Sequence, residues 1–477
     1  MEIYTKEDLK VFGDKFDAVM NKVNILQSEL FEPTKKESDS VIEILHKFIS
    51  DKGRKIYGTY AMHFLLKNKN KNDAVYGEFD VPIIQVYSPT PLIDLKILCD
   101  DFYEKKFKYV LGKEAQTENV YVVIVNNQCY ISLFYAPDNI YKGIPVIEID
   151  KLNIVHPHYL LINYYSRLMQ PLINYDNLKE IMKYEHKLQK YYPLRQDKID
   201  YNIINKNTDI SMLNGILSSI HTFLKSINTI VFIGLYAYSS VLQSCSIKNN
   251  QDYVPQNITH YEIISDNYKN DVNNLIELLK SKYSTNSSKF RIIEHYPFLD
   301  LYGHNTKIYY DDTLIFWGFD SDKKCIPYQN LNTITIDNNK INIDSEEVVK
   351  IGSFSLLIEM NLTMSMHYKL MKNKDMLNYH QKLTQSLFLL RTHYFKITNN
   401  TIMDKTPFQE ITLQCIGTYT NPQIEYNKRV EKKKKEKSGA YVFKYEPSNV
   451  KVDVTSVKFS DSSSNPINNE DDLQLTK

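Results

Sequence analysis

A chain of 477 residues is long enough for two to four domains. Its 43% hydrophobic and 24% charged content excludes a disordered or fibrous chain and fits folded globular protein. A formal net charge of +1 excludes a global field that draws in polyanions, so any nucleic-acid surface must be a local patch.

Residues 1–50 are predicted as a helical segment. Phe12, Phe16, Val19, Met20, Val23 and Leu26 recur at steps of three and four, and Val41 to Ile49 follow a polar break. The first ten residues are charged and lack the apolar core of a signal peptide. Nowhere does the chain approach the ~20 apolar residues of a membrane span. The expectation is a soluble, intracellular protein with no membrane partner.

From 51 to 152 short β-branched and aromatic runs, Val81–Tyr87, Tyr121–Val125, Tyr130–Tyr135 and Val146–Ile149, alternate with a helical pattern at Leu92–Phe102. This predicts an α/β domain. Residues 153–230 read as a helical connector, broken at Pro171, and 231–345 as a second α/β domain. A C-terminal helical and β region follows over 346–455 and carries a basic run. The acidic, Ser/Asn-rich tail from 456 to 477 is expected to be disordered. The cysteines, Cys99, Cys129, Cys245, Cys325 and Cys415, stand far apart without a CxxC pair, which predicts free thiols in a reducing compartment.

The two α/β stretches resemble one another. Gly58-Thr59-Tyr60-Ala61 opens the first and Gly234-Leu235-Tyr236-Ala237 the second; each runs into an apolar helix and then a strand ending in serine. Gly58 to Ser88 is 30 residues and Gly234 to Ser265 is 31, which points to duplication of one module.

A small residue pair at a helix start lets backbone approach a triphosphate. A strand carrying carboxylates at i and i+2 then presents both on one face. With a third carboxylate they hold two Mg²⁺ ions that activate a 3′-hydroxyl. Gly58 and Thr59 fit the first requirement, and Glu78 and Asp80 are the nearest pair for the second.

The run from Asp80 to Pro91, Asp-Val-Pro-Ile-Ile-Gln-Val-Tyr-Ser-Pro-Thr-Pro, resembles the active-site strand of poly(A) polymerases from large cytoplasmic DNA viruses. The likeness continues through Val155-His156-Pro157, Tyr191-Tyr192-Pro193, Pro407-Phe408-Gln409-Glu410 and Phe443-Lys444-Tyr445-Glu446-Pro447. It implies a polymerase-β-like nucleotidyltransferase domain at 51–152 and a similar one at 231–345. It also implies ATP with Mg²⁺ or Mn²⁺ in active members, an mRNA 3′ end as partner, and the host cytoplasm (the viral factory) or the virion as location.

On that resemblance the metal-binding carboxylates stand in register with Ile83, Gln85 and Tyr130, so all three are replaced. Isoleucine cannot bind a hard cation, and a neutral amide offsets none of its charge. The expectation is a catalytically degenerate RNA-binding or partner subunit, paired with itself or with an active paralogue. One alternative is an active enzyme using Glu78 and Asp80, with Glu148 or Asp150 as third ligand; a second is a non-catalytic virion structural protein. The basic run Lys428, Arg429, Lys432, Lys433, Lys434, Lys435 and Lys437 is the candidate RNA contact. His156 and His158 lack further metal ligands, and Trp317 reads as core.

Overall fold

The computed structural model describes residues 3–31, 34–77, 80–194, 210–245, 258–297, 302–322, 324–337, 340–419, 421–436 and 443–447. They fall into two compact units, Met1–Val155 with Tyr426–Phe459, and His156–Glu425 with Ser460–Lys477.

The first unit begins with α1 (Lys6–Phe31) and α2 (Lys35–Asp51). The Thr34 hydroxyl and the Glu37 side chain reciprocally cap the start of α2, satisfying amides that the helix cannot bond internally. Then follow β1 (Lys55–Tyr57), α3 (Gly58–Lys69), β2 (Ile84–Ser88), α4 (Pro91–Glu104), β3 (Leu111–Glu114), β4 (Val120–Val125), β5 (Gln128–Tyr135), α5 (Asp138–Gly143), β6 (Val146–Ile149) and β7 (Leu152–Val155). Pro91 starts α4 because its missing N–H is needed by no partner there. Asn126 and Asn127 both take positive φ and make the two-residue turn between β4 and β5.

The second unit contains α6 (Pro157–Leu168), α7 (Pro171–Asn174), α8 (Leu178–Tyr191), α9 (Ile210–Lys225), β8 (Ile230–Ile233), α10 (Gly234–Ser244), β9 (Tyr261–Ser265) and α11 (Tyr268–Lys282). Next come β10 (Phe290–His295), β11 (Asn305–Tyr310), β12 (Thr313–Asp320), β13 (Ile326–Asp337) and β14 (Lys340–Gly352). Its helices α12 (Phe354–Leu370) and α13 (Lys374–Thr398) are followed by β15 (Cys415–Ile416). Helix α14 (Pro422–Lys435) leads back to the first unit, which β16 (Lys444–Tyr445) joins.

Among the described residues each unit holds an eight-stranded sheet, and the two orders match over seven strands, the eighth (β16 or β15) being added at opposite ends. The first runs β16-β3-β4-β5-β2-β1-β7-β6 and the second β10-β11-β12-β9-β8-β14-β13-β15. In both, the strand before the glycine lies antiparallel to its successor and parallel to a strand that arrives later (β1 with β2 and β7; β8 with β9 and β14). In both, the next strand pairs in parallel with the end of a three-strand antiparallel meander.

The match reaches side chains. Ser88 Oγ donates to Asp94 Oδ2 at 2.5 Å, and Ser265 Oγ to Asp271 Oδ2 at 2.6 Å. His46 meets the Tyr60 hydroxyl at 2.8 Å, and His221 that of Tyr236 at 3.1 Å. The chain thus carries one α/β module twice.

Three expectations need correction. Residues 153–155, read with the helical connector, belong to strand β7, which pairs in parallel with β1 inside the first sheet. The second sheet extends past 345, since β14 runs to Gly352. Cys325 and Cys415 are joined as a disulfide, their Cα atoms 5.5 Å apart. Pairing of Ile326 with Ile416 and of Pro327 with Cys415 brings them together across 90 residues, which sequence spacing does not reveal. Cys99, Cys129 and Cys245 are free thiols.

Candidate active site and basic helix

Gly58 sits at the junction of β1 and α3 with φ +67°, a conformation that favours glycine. No side chain caps the start of α3, so its first turn is presented by backbone alone. Tyr57 pairs with Gln85 across β1 and β2, which puts the Gln85 side chain against the helix start. A Cβ on Gly58 would lie 1.8 Å from Gln85 Oε1. Thr59 follows, half-buried, in the first turn.

The same sheet face continues into an aromatic wall. The rings of Tyr57 and Tyr87 stack at 4.1 Å, and Phe134 meets Tyr87 edge-on at 5.4 Å. Sequence reading missed this wall; the alternation of Gln85 and Tyr87 along β2 is the signal that contained it. It also missed Arg54, whose guanidinium grips both oxygens of the buried Asp94 at 2.7 and 2.8 Å and ties the start of α4 to the start of β1.

Of the three positions expected to have lost carboxylates, Gln85 faces the glycine. Ile83 stands just before β2 and is 43% exposed. Tyr130 lies at a bulge between β4 and β5, where the ladder shifts between Val123 and Ile124. It is 1% exposed, and its hydroxyl bonds Ser38 Oγ on α2 at 3.0 Å.

Of the alternative ligands, the described ones, Asp80, Glu148 and Asp150, do not gather here. Asp80 lies outside β2 and is exposed; its Oδ2 accepts the Gly77 amide at 2.7 Å. Glu78 lies outside the described residues. Glu148 lies on the β6 side of an edge hairpin and Asp150 sits in its turn, both exposed. β6 is three strands from β2, roughly 14 Å at ordinary strand spacing. Two-metal chemistry needs carboxylate oxygens. An isoleucine, an amide and a packed tyrosine do not fit that group. Among the described residues no three His, Cys, Asp or Glu stand close enough to hold an ion.

His156 caps α6, its Nδ1 accepting the His158 amide at 3.2 Å. Burial holds its imidazole down to about 4, as fits a structural histidine. Trp317 is 2% exposed and donates to Asn305 Oδ1 at 2.8 Å.

The basic run forms the C-terminal half of α14. Arg429 donates to the Gln116 carbonyl at 2.7 Å and Lys433 reaches Glu114 at 3.4 Å, which holds the helix against the β3–β4 hairpin. Lys428, Lys432, Lys434 and Lys435 are exposed, and Lys437 lies outside the described residues. No described helix is long and apolar enough to cross a membrane.

A mixed sheet with a glycine–helix junction beside the central strand, present twice, defines a protein of nucleotidyltransferase fold. The family model "Poly(A) polymerase catalytic subunit" matches residues 43–174, and "APMV, Putative poly(A) polymerase, catalytic subunit, C-terminal" matches 185–477. A "Putative poly(A) polymerase catalytic subunit" of Acanthamoeba polyphaga mimivirus is 28% identical, over 97% of this chain and 83% of that relative. The protein of the same description from African swine fever virus (isolate Pig/Kenya/KEN-50/1950) is 25% identical over 51% of this chain and 49% of its own length. The crystal structure of the Megavirus polyadenylate synthase superposes with a TM-score of 0.79 at 30% identity, covering 93% of this chain and 86% of that one. The chain belongs to the viral poly(A) polymerase catalytic-subunit family.

Proposed function

We propose that this chain serves polyadenylation of viral mRNA 3′ ends without performing the transfer, as an RNA-binding partner of an active poly(A) polymerase chain in the host cytoplasm. The observation that carries this is Gln85: the side chain set against the Gly58 junction is an amide, and neither neighbouring position supplies a carboxylate. With no ligand charge to gather Mg²⁺ or Mn²⁺, an ATP triphosphate beside Thr59 has no partner for in-line attack.

Two surfaces support the partner role. Helix α14 offers exposed lysines to a phosphate backbone. Helix α1 exposes Leu9, Phe12, Phe16, Val19, Val23 and Leu26 at alternating steps of three and four, the seam by which one helix takes another.

The test is to incubate purified chain with ATP, Mn²⁺ and a U-rich RNA primer. The expected outcome is no extension, a salt-dependent gel shift of the primer, and co-purification with an active polymerase chain that Phe12→Asp/Val19→Asp abolishes. Extension that Asp80→Ala removes would replace this reading with the ordinary polymerase. Absence of any RNA shift would leave a structural virion role.

A further inference from the structure

The duplicated module places Glu262 in the second unit where Gln85 stands in the first. Gly234 has φ +63° at the start of α10, and a Cβ there would lie 2.3 Å from Glu262 Oε1 and 2.9 Å from Oε2. Glu262 is 3% exposed. Its Oε1 accepts the Tyr379 hydroxyl at 2.8 Å and meets His260 Nε2 at 3.1 Å. The Leu235 backbone in the first turn of α10 lies beside that same Tyr379 hydroxyl, so helix terminus, tyrosine and carboxylate are neighbours.

A cation and a further histidine close the surround. Lys307 Nζ lies 4.2 Å over the Trp317 ring and donates to the Tyr368 hydroxyl at 2.9 Å. His380, 1% exposed and stacked on Tyr368, holds Asn361 Oδ1 at 3.0 Å through Nδ1 and leaves Nε2 without a hydrogen-bond partner. Burial works against the charge on Glu262, yet the neighbouring His260 and His380 and the Tyr379 bond hold it below the usual carboxylate range. A glycine at a helix N-terminus, the His260 imidazole, a hydroxyl donor and a half-buried ammonium are what an oxyanion requires.

We infer that the second unit keeps an anion cradle at the start of α10 which the protein fills from within by the Glu262 carboxylate. A small oxyanion enters only when that side chain is removed. The inference stands on the second unit alone and is independent of the function proposed above. Glu262 is then an internal ligand, and the second unit takes no nucleotide.

The test is chemical rescue of Glu262→Ala in the full chain, read by thermal unfolding. The midpoint should fall by about 6–12 °C. Formate, and more weakly inorganic phosphate, should raise it saturably, while chloride at equal ionic strength does not and wild type responds to neither. A variant as stable as wild type, or a formate response that wild type shares, overturns the inference. If Glu262→Ala is recovered only unfolded, its refolding yield in formate against chloride gives the same readout, with equal yields counting against the cradle. Glu262→Gln, which keeps the shape and removes the charge, should unfold at a lower temperature and stay blind to formate. A midpoint at or above that of wild type would overturn the inference by itself.

Discussion

Gly58 and Gly234 take left-handed backbone and lie against the end of a longer side chain, Gln85 in one case and Glu262 in the other. A methyl group at Gly58 meets both the backbone penalty and the amide. Gly58→Ala is therefore expected to lower the stability of the first unit by about 1–3 kcal/mol in urea titration. Adding Gln85→Ala should return only part of the loss, because it removes the clash and leaves the φ strain. Full recovery in the double variant would mean that the backbone strain is negligible. The exchange of glutamine for glutamate between equivalent positions also changes what the shared scaffold surrounds. The neutral amide packs against Gly58, while the carboxylate acquires its own hydrogen-bond donors.

Helix α14 divides its cations between two tasks. Arg429 and Lys433 dock the helix through Gln116 and Glu114, whereas Lys432, Lys434 and Lys435 point charge at solvent. Replacing these last three with alanine should leave folding intact and flatten the logarithmic salt dependence of RNA binding by about 2, near 0.7 per lost contact. An unchanged slope would move the RNA path elsewhere. At this scale the sequence was readable where local chemistry is strong. Glycine-before-helix spacing revealed the repeat, and the apolar pattern at Leu92–Phe102 marked α4. Less readable was strand register: Val81-Pro82 looks like strand, but the ladder begins at Ile84, and the bulge that turns Tyr130 toward α2 depends on its partner strand. The disulfide was invisible for the same reason, since it is made by residues that meet only across a sheet.

Across the whole molecule, burial sets the response to acid. Desolvation holds His63, His221 and His380 down to about 4, from an ordinary 6.5. Between these values the unfolded chain binds protons that the folded chain refuses, so stability is full above 6.5 and drains as pH falls toward 4. Glu185, 3% exposed and pushed up by burial to about 7, works in the opposite sense and offsets one of the three. These four groups contribute a net slope of about 2–3 kcal/mol per pH unit between pH 6.5 and 5, to which His156 and His367, also held down by burial, add in the same sense; urea titration measures it. His221→Phe should make it shallower; a flat profile would mean that these imidazoles stay hydrated.

The first sheet is finished by β16, which pairs with β3 through Lys444–Lys113 and Tyr445–Gly112. Its Tyr445 hydroxyl also donates to Asp100 on α4 at 2.6 Å. A ribosome making this protein must therefore synthesise His156–Glu425 of the second unit before the amino-terminal sheet receives its last strand. Until then β3 is a bare edge with unpaired amides, the kind that recruits strands from neighbouring nascent chains. A stop codon near 440 would remove almost nothing from the second unit, yet it would leave the first permanently unsealed, and insolubility would arise far from the lesion.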